Sequence, residues 1–289
     1  MRIIKSIKEM RQAIAAARHK GQRIGFVPTM GYLHEGHLSL VRQAKKENDC
    51  CVVSIFVNPT QFGPKEDIAR YPRDFKHDST LLKKENVDIC FYPPDNDIYP
   101  QGYLTYIDVL GISDELCGRF RPGHFKGVAT VVAKLLNIVQ PDVMYVGAKD
   151  AQQVVVLRTL VKDLNIPVVV KTVETKREPD GLAMSSRNVY LSKDERSEAS
   201  VLYKALMQAK KDVRAGEHQA ARVIARMKDL ISSESSARIQ YIECVDVVSL
   251  KPLVTLKGKV LIALAVYFGK TRLIDNSIIT VNGKSKTKS

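Results

Sequence analysis

The stretch Ile24-Gly25-Phe26-Val27-Pro28-Thr29-Met30-Gly31-Tyr32-Leu33-His34-Glu35-Gly36-His37 passes from an apolar run, through a glycine turn, into two histidines three residues apart. From His37 the pattern changes: Leu38, Leu40, Val41 and Ala44 recur at helical spacing, with Arg42, Gln43, Lys45 and Lys46 between them. A short strand therefore feeds a tight turn, and the histidines stand at a helix N-terminus. Such an end offers exposed backbone N–H groups and the positive pole of the helix dipole, a ready anion site. Gly31 and Gly36 let the main chain approach a bulky ligand with no Cβ in the way. Imidazoles one turn apart can face the same ligand. The stretch points to an enzyme that handles phosphate groups.

The same alternation continues outward. Apolar, β-branched runs recur at 24–27, 50–57, 87–92, 143–146 and 168–173, and helical-period stretches at 37–47, 74–86, 127–139 and 150–164 separate several of them. Continuous apolar strands interleaved with helices argue for a parallel sheet covered on both faces. Ligands on such sheets bind at the carboxyl ends of the strands. Polar, glycine-bearing segments begin where the strands stop, at 28–37, 58–63 and 147–150, which predicts a single active cleft. After about residue 176 the character changes. Arg177-Glu178-Pro179-Asp180-Gly181 is turn chemistry, and Ser192-Lys193-Asp194-Glu195 is a capping box that opens a long helix ending near Gly216. A second helix to about 234 and strands over 239–248, 260–268 and 273–281 follow, the order of a small α+β domain with a largely antiparallel sheet. The expected architecture is a Rossmann-like, doubly wound parallel sheet over 1–176 and a smaller α+β C-terminal domain over 177–289, with a disordered tail from about 283.

Composition narrows the function classes. The 289 residues are 45% hydrophobic, ordinary for a folded domain. No apolar run reaches the ~18–20 residues that cross a bilayer, and Met1-Arg2-Ile3-Ile4-Lys5 runs straight into a mixed polar helix without a signal-peptide core. A cytoplasmic location is expected. Cys50, Cys51, Cys90, Cys117 and Cys244 are odd in number and form no CxxC, so they read as buried thiols. The net charge of +14 invites nucleic acid as a partner, but Lys and Arg are spread along the chain and part of the excess sits in Lys284-Ser285-Lys286-Thr287-Lys288-Ser289. A basic cleft for polyanionic small molecules uses more of that charge. Neither nucleic acid nor membrane is expected as a partner.

Five segments carry chemistry. His34-Glu35-Gly36-His37 resembles the HxGH signature of nucleotidylyltransferases, and Met184-Ser185-Ser186-Arg187-Asn188 is similar to the second signature of that superfamily. Between them lie Phe56-Val57-Asn58-Pro59-Thr60-Gln61-Phe62, Arg121-Pro122-Gly123-His124-Phe125-Lys126-Gly127 and Gly147-Ala148-Lys149-Asp150-Ala151-Gln152-Gln153. In this order, and with 177–188 complete, the set resembles the pantothenate synthetase (pantoate–β-alanine ligase) family over roughly residues 20–190.

The resemblance implies condensation of pantoate with β-alanine, driven by ATP, through an acyl adenylate, with release of AMP and diphosphate. It implies ATP as co-substrate with Mg²⁺, no metal bound by the protein itself, and a homodimer. His37, His34, Lys149 and Arg187 would be catalytic, His37 as proton donor or as phosphate-binding imidazole. Met30, Gly31, His34, Gly36 and His37 would line the ATP phosphates. Gly147, Ala148, Lys149, Asp150 and Lys176 would hold the nucleotide, Asp150 accepting from ribose hydroxyls. Met184, Ser185, Ser186 and Arg187 would close over ATP as a mobile loop and exclude water. Gln61 and Gln153 would bind pantoate, and Gln61 would also meet β-alanine. Neutral amides suit that task because they carry donors and an acceptor with no charge to desolvate. Arg121 and His124 would contribute from near the cleft.

Plainer readings stand beside these. The histidines can also be read as a metal pair or as surface caps, although no third ligand lies at suitable spacing. Asp150 also reads as a helix cap. Met184 and Leu182 read as packing residues. Gln152 should face away if Gln153 faces the ligand, because adjacent helix positions point about 100° apart. Asp78 reads as a solvated helix carboxylate, with a place beside magnesium as the alternative. The sequence departs from the family pattern at Tyr32, which is bulkier than usual, at Ala148, at Lys126 in place of arginine, and at Lys176, of which only the backbone is expected to touch adenine. Two rival functions remain: a nucleotidylyltransferase that keeps AMP in its product, and a basic nucleic-acid-binding protein.

Overall fold

The computed structural model describes residues 1–64 and 66–281, so the tail expected from about 283 lies outside the described residues. The chain divides into two compact units, Met1–Asp114 with Gly118–Lys176, and Glu115–Cys117 with the chain from Arg177 onward.

The first unit is built on a six-stranded sheet of β1 (Arg2–Ile4), β2 (Ile24–Thr29), β3 (Cys50–Ile55), β4 (Ile89–Phe91), β5 (Val143–Gly147) and β6 (Val169–Val173), in the order β1-β4-β3-β2-β5-β6. Every pairing is parallel. β3 is buried along its whole length, as a strand covered on both faces must be. Val27, Val53, Cys90 and Tyr145 meet Leu40, Val41 and Leu82 from the helices in one apolar cluster. The sheet grows from β2 through β3 and β4 on one side and through β5 and β6 on the other. Strand order therefore reverses between β2 and β5, and the crevice outside their carboxyl ends is where open α/β sheets bind ligands. Met30–His37 and Ala148–Gln153 leave the sheet at that point.

The helices Glu35–Glu47, Phe75–Lys84, His124–Val139 and Ala151–Asp163 match the expected periodic stretches. His124–Val139 starts three residues earlier than its apolar pattern suggests, because Gly123, at φ 78°, takes the left-handed conformation in front of it. β1 differs from the expectation of a chain running directly into a helix. It is three residues long, only Ile4 is buried, and it exists by pairing with β4.

The second unit is α+β, with an antiparallel sheet of β7 (Arg238–Asp246), β8 (Gly258–Phe268) and β9 (Thr271–Val281) in that order. The capping box forms: Glu195 N–H donates to Ser192 Oγ at 3.2 Å, and Ser192 N–H to Glu195 Oε2 at 2.8 Å. The single helix expected from there to Gly216 is two helices, Lys193–Glu198 and Val201–Arg214, broken at Ala199 and Ser200. Leu202, Leu206, Val223, Met227, Ile262 and Leu264 share the core of this unit.

All five cysteines are buried and none forms a disulfide. Burial pushes the thiols of Cys51, Cys90 and Cys244 up to about 12, which keeps them protonated and unreactive.

Candidate active site

The turn between β2 and the Glu35–Glu47 helix is held from within. Gly31 and Tyr32 are both left-handed, at φ 81° and 51°. The second is unusual for a side-chain-bearing residue and must be held by its surroundings. Asp78, on the Phe75–Lys84 helix, does this: its carboxylate accepts the Tyr32 N–H at 2.8 Å and the Leu33 N–H at 2.7 Å. At 1% exposure Asp78 is not the solvated carboxylate expected from its helix position. Burial raises its pKa, partly offset by those two hydrogen bonds.

Three further amides of the turn are also engaged. Gly31 N–H donates to Thr29 Oγ1 (3.2 Å), His34 N–H to His37 Nδ1 (3.4 Å) and Gly36 N–H to His34 Nδ1 (3.1 Å). The expected cradle of exposed backbone N–H groups is thus largely taken up by the protein itself. What it leaves for a ligand is the imidazoles, both partly exposed.

That pairing fixes the histidine tautomers. Each Nδ1 accepts a backbone N–H, so each neutral ring carries its proton on Nε2. The histidines form the capping box of this helix, but they are largely buried and not the surface caps of the plainer reading, and the capping is what orients them as donors. The rings lie 4.1 Å apart between centroids. Burial, then the charge of Lys149, lowers His34 to about 4, with Asp150 opposing. Burial, then His34 and Lys149, holds His37 well below the usual imidazole value. Burial is the main reason both rings stay neutral, and the Lys149 charge adds to it at each. Two Nε2–H donors and one ammonium, at a helix N-terminus, suit an oligophosphate whose charge rises during reaction.

The sign of the pH dependence follows. His34 falls from 6.5 in the unfolded chain to about 4 when folded, so on acidification the unfolded chain takes up its proton first. Stability present above pH 6.5 is expected to be lost progressively as the pH falls towards 4. Urea denaturation at several pH values and NMR of the ring C2 protons check this. A His34 midpoint near 6.5 in the ligand-free protein contradicts the neutral pair.

Gln61 ends the short Pro59–Gln61 turn after β3 and reaches the same place, its Nε2 donating to Met30 Sδ at 3.1 Å. Its Oε1 accepts from Asn58 Nδ2 at 3.0 Å, and the same Nδ2 donates to the Gly127 carbonyl at 3.1 Å. Asn58 Oδ1 accepts from Tyr99 Oη at 2.8 Å and Thr60 Oγ1 at 3.0 Å. A thioether is a weak acceptor, so the Gln61 N–H is the group most readily transferred to a ligand oxygen. At Gly127 a Cβ would lie 2.4 Å from the Thr60 carbonyl oxygen, so only glycine lets the helix pack this close. Sequence reading missed Asn58. Its signal is the Asn-Pro dipeptide at the strand end, a turn initiator whose side chain is 1% exposed here.

Gln152 is buried and donates to the Ile112 carbonyl at 2.9 Å, whereas Gln153 keeps part of its surface exposed. Asp150 occupies the N-cap position of Ala151–Asp163 but makes no capping hydrogen bond with its side chain. Gly147, Ala148 and Lys149 are partly exposed beside it, and Lys176 closes the first unit, its charge reaching Glu35. Met184, Ser185, Ser186 and Arg187 belong to the second unit. There Ser185 Oγ accepts the Arg187 N–H at 3.3 Å, and Asn188 Nδ2 donates to the Ala183 carbonyl at 3.2 Å. Arg177 ties the same loop to β9 through a two-pronged pair with Asp275, at 2.6 and 2.9 Å, and donates to the Gly181 carbonyl at 3.0 Å. Leu182 packs in that unit's core, while Met184 is partly exposed.

A family model described as pantoate-beta-alanine ligase matches residues 2–278. The chain belongs to that family. A pantothenate synthetase of Caldicellulosiruptor saccharolyticus is 53% identical over 281 residues, covering 97% of this chain and all of the relative. The solved pantothenate synthetase of Thermus thermophilus is 43% identical, with a TM-score of 0.92 over 98% of this chain and all of that one. The pantoate-beta-alanine ligase of Francisella tularensis, solved with beta-gamma ATP and beta-alanine, is 39% identical, with a TM-score of 0.80 over 96% of this chain and 97% of that one. Pantoate-beta-alanine ligases thus share the whole length and fold described here.

Proposed function

We propose that this chain condenses (R)-pantoate with β-alanine, driven by ATP, giving pantothenate, AMP and diphosphate through a pantoyl adenylate. The observation that carries the reading is the neutral His34–His37 pair beside Lys149 at the reversal of strand order, in a chain of this family.

A pantoate carboxylate oxygen attacks the α-phosphorus, and the bond to diphosphate breaks. Charge gathers on the departing oxygens, where the two Nε2–H groups and the Lys149 ammonium stabilise it. The β-alanine amine then attacks the adenylate carbonyl, AMP leaves with the bonding pair, and the amine gives up a proton. The second step calls for positioning and not for a protein nucleophile. Met30, Gly31, His34, Gly36 and His37 line the phosphates. Gly147, Ala148, Lys149, Asp150 and the Lys176 backbone hold adenosine, with Asp150 on the ribose. Gln61 and Gln153 hold pantoate, and Gln61 also meets β-alanine. Met184, Ser185, Ser186 and Arg187 serve the triphosphate as a closing loop of a 177–289 domain that follows the catalytic domain 1–176. Mg²⁺ arrives on the nucleotide; among the described residues no group of three or more His, Cys, Asp or Glu is placed to hold a metal ion.

The working form is a homodimer in the cytoplasm. Leu104 and Leu110, at 88% and 82% exposure, with Tyr106 between them, offer apolar surface for self-association. No helix among the described residues is long and apolar enough to cross a membrane. Sedimentation at the monomer mass would exclude the dimer.

Pantoate-dependent ATP–pyrophosphate exchange without β-alanine, and AMP release equal to pantothenate formed once it is added, are the expected results. Retention of AMP in the product would instead establish a nucleotidylyltransferase.

A further inference from the structure

Beside the substrate-facing amide of Gln61, its main-chain carbonyl is gripped by a second set of residues. His124 Nδ1 lies 2.9 Å from that oxygen, and His124 Nε2 lies 3.0 Å from Arg121 Nη1. A guanidinium only donates, so Nε2 accepts and the His124 proton sits on Nδ1, where it donates to the carbonyl. Arg121 is in turn locked in a two-pronged pair with Glu66, Nε to Oε1 at 2.8 Å and Nη2 to Oε2 at 2.6 Å. Burial pushes the Glu66 carboxyl up, but the hydrogen bonds and charge of Arg121 outweigh it and hold it below the usual value. Each hydrogen bond in this line dictates the donor sense of the next.

We propose that Glu66, Arg121 and His124 form a positioning chain that sets where Gln61 meets the carboxylate substrate. The proposal rests on the reading of Gln61 as a pantoate-binding residue. The Pro59–Gln61 turn is a single turn with only one backbone bond closing it, from Phe62 N–H to the Pro59 carbonyl at 3.3 Å. Gly127 bars it from moving towards the helix, and Asn58 fixes the far end of the Gln61 side chain. The remaining restraint at the Gln61 main chain itself is the pair of donors on its carbonyl, His124 Nδ1 at 2.9 Å and Arg121 Nη2 at 3.5 Å. Loss of it shifts the amide relative to pantoate while leaving the nucleotide end untouched.

Steady-state kinetics on the full-length enzyme test this. His124→Leu and Arg121→Lys are each expected to raise the pantoate KM by about tenfold, the worth of one mislaid hydrogen bond, with the ATP KM within about twofold. Lysine keeps the charge but cannot bridge Glu66 and His124 together. His124→Asn places an amide donor where Nδ1 was and is expected to restore the pantoate KM to within about threefold. A purely structural role would move both KM values and the melting temperature together, and asparagine would not rescue it. Glu66→Gln, at a partly exposed position, carries the same test should His124→Leu fail to fold. Gln61→Ala is measured alongside. If it raises the pantoate KM while Glu66→Gln, Arg121→Lys and His124→Leu do not, the positioning chain alone is overturned. If Gln61→Ala also leaves that KM unchanged, the pantoate reading of Gln61 falls with it.

Discussion

Lys149→Ala is expected to lower pantoate-dependent ATP–pyrophosphate exchange by roughly 100- to 1,000-fold, the usual cost of removing one preorganised group from a site of charge development. The size of the effect follows from how the amides of the neighbouring turn are engaged. Gly31, Tyr32, Leu33, His34 and Gly36 all donate their N–H groups to protein acceptors, so little backbone is left for a phosphate. His34 and His37 are neutral donors at physiological pH. The full positive charge at this end of the sheet must come from a side chain, and Lys149 is the one whose field reaches both rings. Lys149→Arg is expected to recover part of the rate, since it restores charge on a different geometry. A second readout separates lost charge from lost fold: without the ammonium, the His34 pKa should rise from about 4, because Lys149 is the second cause of its depression after burial. Exchange within about threefold of the parent protein would remove Lys149 from the adenylation step.

The parallel sheet was legible because its strands are buried on both faces and therefore read as unbroken apolar runs, β3 most clearly. β1 was not, because three residues with one buried side chain carry no periodicity; its evidence lies far along the chain, where Arg2 pairs with Ile89. The break at Ala199 and Ser200 escaped for the opposite reason: apolar spacing continues across it, and neither residue is a helix breaker. In the site, the histidine pair announces itself through local spacing, since one helical turn brings i and i+3 together. What makes the pair chemically specific does not. Asp78, Asn58 and Glu66 act through contacts set by tertiary packing, and an aspartate on an amphipathic helix is indistinguishable in sequence from the solvated ones. Local pattern gave the candidate groups and the backbone partners that set their tautomers, whereas the Lys149 charge that helps keep them neutral and the carboxylate that holds their turn come from residues remote in the chain.

The clearest case is Asp78, and Asp78→Ala is expected to cost activity although Asp78 is not among the residues proposed to bind substrate. The substitution leaves the Tyr32 and Leu33 N–H groups without their acceptor, the first partly buried and the second buried. An unsatisfied buried donor costs about 1–3 kcal/mol. Relief from burying a carboxylate, the main cause of the raised Asp78 pKa, offsets part of that. A net loss of ~2–3 kcal/mol in urea denaturation is therefore expected. The kinetic loss should be larger. Tyr32 is held at φ 51°, which costs of order 1–3 kcal/mol and persists only because its surroundings enforce it. Once released, the turn relaxes, and the residue that follows Leu33 is His34, whose ring orientation depends on the same path. A shift of ~1 Å in a catalytic group can cost ~100-fold, and a drop of that order in ATP–pyrophosphate exchange is expected at temperatures where the variant is still folded. Asp78→Asn is the intermediate case: it discards the buried charge and keeps one acceptor, but its NH2 group meets the other N–H, so stability and exchange should both fall between parent and Asp78→Ala. Full exchange in folded Asp78→Ala would mean that the turn holds its shape unaided, and that His34 and His37 owe their aim to the capping hydrogen bonds alone.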